Sequence, residues 1–213
     1  MQLLGREAEI HSLRKGLSST GTMRSAIIIG EKGMGKTALL EAVGVQLLQE
    51  ENFLLWLAPS SKQNLTPAGW VSQIARNMGA SKGVPRDAIN QFAQAMGGKL
   101  AVLPHWVESD SSHTQENIYH EVAEHFVKEL EVIFTTCLPN PCEPLFALDD
   151  LDSYSPALLQ WLTKDLNKAL RASKHFRKAR FLFGVSALNT ELVEFIEGFG
   201  IEKVHDFQLR PLS

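Results

Sequence analysis

Apolar residues along this chain fall into short continuous runs, separated by longer stretches in which they recur every three or four positions. That layout predicts strands buried on both faces of a parallel sheet, with helices packed against them. Four such runs read as strands, Ala26 to Ile29, Phe53 to Ala58, Leu145 to Leu148 and Phe181 to Ser186, and Val204 to Leu209 is taken as a fifth strand. Ahead of the first, Ile10, Leu13 and Leu17 lie at i, i+3 and i+7, one face of a helix starting near Glu7. The polar stretch 18–22, SSTGT, links it to the strand.

Between the strands the spacing turns helical. A helix is expected from Lys36 to about Gln49. Another has Thr66 as N-cap and Pro67 in its first position, and runs to about Met78 with a stop at Gly79. A shorter one from Arg86 to Met96 is expected to end at Gly97-Gly98. Lys99 to His113 has no clear period, and the SDSSH segment at 109–113 reads as a mobile loop. Thr114 to Phe134 reads as a long helix with Ile118, Val122, Phe126, Leu130 and Ile133 on one face. Ser155-Pro156 opens a helix striped by Leu159, Leu162, Leu166 and Leu170, and a short helix covers Glu191 to Glu197.

Composition narrows the class. A chain of 213 residues can bury one good core, so one domain, at most with an appendage, is expected. With 44% apolar and 21% charged residues it fits an ordinary soluble globular protein, and a formal charge of −3 supplies no global basic field for nucleic acid. The longest apolar runs are too short to cross a bilayer, and the N-terminus lacks the layout of a signal peptide, so a cytoplasmic location with no membrane partner is expected. Cys137 and Cys142 bracket a Pro-containing loop. A reducing compartment disfavours a disulfide there, and no further cysteine completes a metal site.

The stretch with the most chemical content is Ser25 to Leu40. It contains Gly30-Glu31-Lys32-Gly33-Met34-Gly35-Lys36-Thr37, a full match to G-x-x-x-x-G-K-[ST] between a strand and a helix. Glycines at 30, 33 and 35 let the backbone turn sharply and bring its N–H groups around an anion. The helix that follows adds its free N–H groups and positive dipole end, which places Ala38 at the phosphates as well. Lys36 is expected to meet the β- and γ-phosphates of ATP or ADP, and the Thr37 hydroxyl to ligate Mg²⁺. The bland alternative is a glycine-rich turn that merely starts a helix.

A second chemical element is Asp149-Asp150-Leu151-Asp152 at the carboxyl end of the 145–148 run. Ligands of open parallel sheets sit at the carboxyl ends of strands, so Asp149 fits the metal side and Asp150 a role in polarising the attacking water. The alternative is that the pair only caps the next turn. His120-Glu121-Val122-Ala123-Glu124-His125 looks like a zinc-protease motif but places its histidines five apart, roughly 140° around a helix, where that chemistry needs four. Arg171, Lys174, His175, Arg177, Lys178 and Arg180 form a basic cluster at a helix C-terminus. A nucleic-acid patch and simple dipole compensation both account for it, the second being favoured.

Leu4-Gly5-Arg6-Glu7, the phosphate loop, Leu148 to Asp152 and the closing Phe207 to Ser213 together resemble the ATPase core of the AAA+ and STAND families, from residue 3 to 213. The resemblance implies a three-layer α/β P-loop domain with a five-stranded parallel sheet of order 5-1-4-3-2. It implies Gly5 and Arg6 near the adenine, and ATP hydrolysis used as a conformational switch. The strand at 181–186 lacks the arginine found at its end in several STAND subfamilies, which leaves Ser186 or Asn189 as the polar sensor. Family members continue past the closing Pro-Leu-Ser into a helical lid, so a fragment of a longer protein is expected, with self-association or its other domains as partners. A DNA loader of the origin-recognition type and a nucleotide-binding scaffold without turnover are the rival functions.

Overall fold

The structure, a computed structural model, describes residues 5–18, 20–50, 55–57, 66–78, 85–102, 112–137, 144–199 and 205–209. The strands are β1 (Ser25–Ile29), β2 (Leu55–Leu57), β3 (Pro144–Leu148), β4 (Arg180–Val185) and β5 (His205–Gln208). They form one sheet in the order β2-β3-β4-β1-β5, every neighbouring pair parallel. From the other edge this is 5-1-4-3-2, the order the resemblance implies. The outer residues expected in the second strand, 53, 54 and 58, lie outside the described residues.

Period-two alternation on β1 divides the core between two layers. Ala26 and Ile28 pack with Leu145, Ala147 and Leu182 against α1 (Glu7–Leu17) and α2 (Lys36–Glu50), through Leu13, Leu17, Leu39 and Val43. Ile27 faces the opposite way, into a larger cluster with Phe146, Phe181 and Phe183. There the sheet is covered by α3 (Pro67–Asn77), α4 (Arg86–Val102), α5 (Ser112–Cys137), α6 (Pro156–Trp161), α7 (Asn167–Ala172) and α8 (Thr190–Gly198). Since both faces are covered, β1, β3 and β4 read as mainly apolar runs, whereas the edge strand β5 is His-Asp-Phe-Gln.

Caps fall where the sequence places them. The Thr66 hydroxyl accepts from Gly69 N at 3.1 Å, and the Ser155 hydroxyl from Leu158 N at 3.2 Å, each followed by proline at the first helical turn. Helix lengths differ more. α4 does not stop at Gly97-Gly98 but continues to Val102, and α5 starts at Ser112 and runs to Cys137. Two interior glycines cost only about 1 kcal/mol each, which the burial of Phe92 and Met96 outweighs. Ser112 and His113, expected in a loop, thus belong to α5, while 103–111 lie outside the described residues. The leucine stripe also spans a turn of π-helix, Leu162–Leu166, which joins α6 to α7.

Candidate nucleotide-binding site

β4 lies between β1 and β3, with Ile29 opposite Val185 and Leu148 opposite Phe183. The order of the sheet therefore collects three strand ends at one edge: the glycine loop after β1, the acids after β3 and Ser186 after β4.

In the loop, Gly33 and Gly35 have φ of +91° and +85°, the left-handed region that a Cβ disfavours. Gly30 N donates to Val185 O at 3.2 Å, and Met34 N to Glu31 O at 3.2 Å, closing the turn. The Lys36 ammonium is buried and curls back into the loop, donating to Gly30 O at 2.5 Å and Glu31 O at 3.2 Å. Glu31, Lys32 and Gly33 are exposed, and Thr37 and Ala38 are half-buried at the start of α2.

The Thr37 hydroxyl donates to Asp149 Oδ2 at 2.6 Å, joining loop to acid strand. Asp149 approaches β4 so closely that a Cβ on Gly184 would lie 2.6 Å from Asp149 Oδ1. Asp150 then leaves the strand in the left-handed conformation, φ 58° and ψ 45°, the one described residue other than glycine with positive φ. Its carbonyl accepts from Ser153 N at 2.8 Å and Ser153 Oγ at 2.7 Å, starting a 3₁₀ turn over Leu151–Ser153. That turn brings Asp152 round to β4, where its Oδ2 accepts from Ser186 N at 2.6 Å. Beneath the acids lies Tyr154. Its phenol is held well above the usual tyrosine value by burial, with the Asp149 and Asp150 carboxylates adding to the shift and the Trp70 indole opposing it.

Arg6 is buried and reaches the loop from the start of α1. One of its nitrogens donates to Met34 O at 3.4 Å and another to Glu9 Oε1 at 3.1 Å. Gly5 N donates to both Glu7 carboxylate oxygens, at 3.2 and 3.0 Å. Of the opening motif, Gly5 is thus tied to Glu7, and Arg6 lies against the loop itself. Asn189 is engaged otherwise: it is the N-cap of α8, its Oδ1 accepting from Leu192 N at 2.8 Å.

Arg6 against the loop, Gly184 under Asp149, and the Asp152 link are features the sequence reading did not single out. A glycine inside the apolar run 181–186 was the one available signal, since glycine in a strand marks close approach of another group. The zinc-like histidines make side-chain pairs instead. His120 lies 3.2 Å from Glu124 Oε1 and 3.5 Å from Asp165 Oδ1, and His125 3.9 Å from Glu129 Oε1. Among the described residues no group of three or more acids, histidines and cysteines is arranged to hold a metal.

A strand, a glycine loop with its lysine and a helix on a parallel sheet define a P-loop nucleotide-binding fold. The sequence profile of the AAA ATPase domain matches residues 2–176, and the chain belongs to that family. Comparison with curated proteins returns no match. Among solved structures the fold is similar to Cdc6p from Pyrobaculum aerophilum, at 16% identity and a TM-score of 0.55, covering 100% of this chain and 47% of that one. It is also similar to a chain in the Drosophila ORC bound to GC-rich DNA and Cdc6, at 10% identity and a TM-score of 0.52, covering 95% of this chain and 28% of that one. The chain therefore spans less than half the length of either. No helix among the described residues is long and apolar enough to cross a membrane.

Proposed function

We propose that this chain binds ATP or ADP with Mg²⁺ and hydrolyses ATP as a conformational switch of the STAND type, acting with other copies or other domains of a larger protein. The observation that carries the reading is the 2.6 Å bond from Thr37 to Asp149, which sets a hydroxyl and a carboxylate side by side next to the loop lysine. These oxygens are the donors a hard cation takes, and they are supplied by the phosphate loop and the acid strand together. When bound, Mg²⁺ would neutralise charge on the phosphate oxygens.

The chain's own residues then divide the work. The loop from Glu31 to Ala38, Met34 apart, offers backbone N–H groups to the phosphates, while Gly30 N and Met34 N hold the turn closed. Lys36 moves its ammonium from the Gly30 and Glu31 carbonyls toward the β- and γ-phosphates. Asp150 orients and polarises the attacking water, and Ser186 reads the γ-phosphate end. Arg6 braces the loop through Met34 O and, with Gly5, borders the base.

Nucleic acid is not favoured as a partner, because two members of the basic cluster have internal work. Arg171 donates to Phe199 O at 2.5 Å, and buried Arg180 donates to Gly16, Gly21 and Met23 carbonyls at 3.4, 3.3 and 3.1 Å.

The test is calorimetric titration of ATP into the parent chain and Lys36→Ala. Loss of a charge-assisted contact worth roughly 1.5–3 kcal/mol should weaken ATP binding by about tenfold or more. Unchanged affinity would remove the loop assignment.

A further inference from the structure

A cavity of about 270 Å³ opens at the edge of the sheet opposite the phosphate loop. Arg24, just before β1, lines it, and the five residues of β1 put about 16 Å of strand between it and the loop, at roughly 3.3 Å per residue. Its other walls come from α7, from the turn after it and from the ends of β4 and α8. Among the described residues its lining includes three arginines, Arg24, Arg171 and Arg177, and three phenylalanines, Phe176, Phe181 and Phe199, with no aspartate or glutamate.

The three arginines are differently prepared. Arg171 is locked: its Nε donates to Asn167 Oδ1 at 3.2 Å and its Nη2 to Phe199 O at 2.5 Å, closing the C-terminal end of α8. The buried Arg180 ties down the carbonyls at Gly21 and Met23, and so fixes the backbone that carries Arg24. Arg24 and Arg177 are themselves exposed. Three like charges on residues lining one hollow repel each other, and an anion relieves that repulsion.

We propose that this cavity is a second ligand site, distinct from the phosphate loop, for a small organic phosphate monoester with an apolar or aromatic body. The guanidinium forks of Arg24 and Arg177, arriving from separate elements, would close on a tetrahedral dianion beside the fixed positive charge of Arg171, whereas a single planar carboxylate is matched by one fork. The phenylalanines of the lining take the body of the ester. The volume, about 270 Å³, lies just below the usual range of ligand pockets, about 300–1,000 Å³, which restricts the site to a compact ester.

Phenyl phosphate is the probe, added to the full chain and followed by backbone amide chemical shifts and calorimetry. Saturable shifts should appear at Leu170 to Phe181 and persist in Lys36→Ala, which separates this site from the phosphate loop. Arg24→Gln combined with Arg177→Gln should weaken binding by roughly tenfold or more, since each removes a charge-assisted partner. Inorganic phosphate should bind more weakly than phenyl phosphate. The proposal is overturned by shifts confined to Gly30 to Thr37, by unaltered affinity in the double variant, or by benzylmalonate binding as tightly as phenyl phosphate.

Discussion

Thr37 and Asp149 are 112 positions apart in the chain, yet the threonine hydroxyl donates to Asp149 Oδ2 at 2.6 Å. Under the proposed function this pair is the cation's protein ligand set. Asp149→Ala and Thr37→Ala should each abolish most of the Mg²⁺ dependence of ATP affinity while leaving metal-free binding near the parent value. Asp150→Asn should bind like the parent and turn over more slowly, because it keeps a residue tolerant of the left-handed conformation but loses the charge. Titrations with and without Mg²⁺, beside steady-state turnover, distinguish the roles. The reverse pattern would exchange them between Asp149 and Asp150.

Gly184 is the seat of Asp149. A methyl group there would meet Asp149 Oδ1 at 2.6 Å, closer than real contacts allow without displacement, and Leu40 Cδ1 at 3.1 Å, tighter than most. Gly184→Ala should destabilise the fold by about 1–3 kcal/mol, the usual cost of overpacking. It should also weaken Mg²⁺-dependent ATP binding, since Asp149 must move away from Thr37. Urea denaturation and calorimetry measure the two effects. A variant as stable as the parent would mean that Asp149 is not held at this distance.

Tyr154 gives a pH signature. Its folded phenol ionises well above the usual tyrosine value, chiefly through burial. The raised folded value makes its contribution to stability fully present below the unfolded pKa of about 10 and lost as pH rises above it. The sequence has two tyrosines, so in Tyr119→Phe the remaining phenol is Tyr154 alone. Absorbance at the tyrosinate band should stay flat through pH 10 and rise only as the chain unfolds. A normal titration with the fold intact would show that the ring reaches water.

The parts legible in the sequence were those whose signal is local or is repeated along one element. Strands β1, β3 and β4 are buried on both faces, so each reads as a solid apolar run. The loop glycines have backbone requirements of their own, at Gly33 and Gly35, which no partner has to supply. What escaped depends on partners distant in sequence. α4 outruns Gly97-Gly98 because of what Phe92 and Met96 bury against, not because of its own propensity. The basic cluster looked like one patch, but Arg180 is buried under α1's C-terminal turn whereas Arg177 is exposed. Asp152 read as one more acid after the strand, and only the fold brings it to Ser186, 34 positions away.

That last link makes Asp152 a positioning residue under the proposed function. Its Oδ2 takes Ser186 N at 2.6 Å and so fixes the first residue past β4, between the glycine loop and the acid pair. Asp152 is exposed, so its loss should cost little global stability. Asp152→Ala should leave Mg·ATP affinity close to the parent and lower turnover by roughly tenfold, the worth of one hydrogen bond to a charged group. Asp152→Asn keeps an acceptor oxygen and should recover much of the rate. If Asp152 works through Ser186, the two act as a unit, and Asp152→Ala combined with Ser186→Ala should be no slower than the slower single variant. Multiplied defects in the double variant would mean that the two residues act independently, with Asp152 doing something at the site other than holding Ser186.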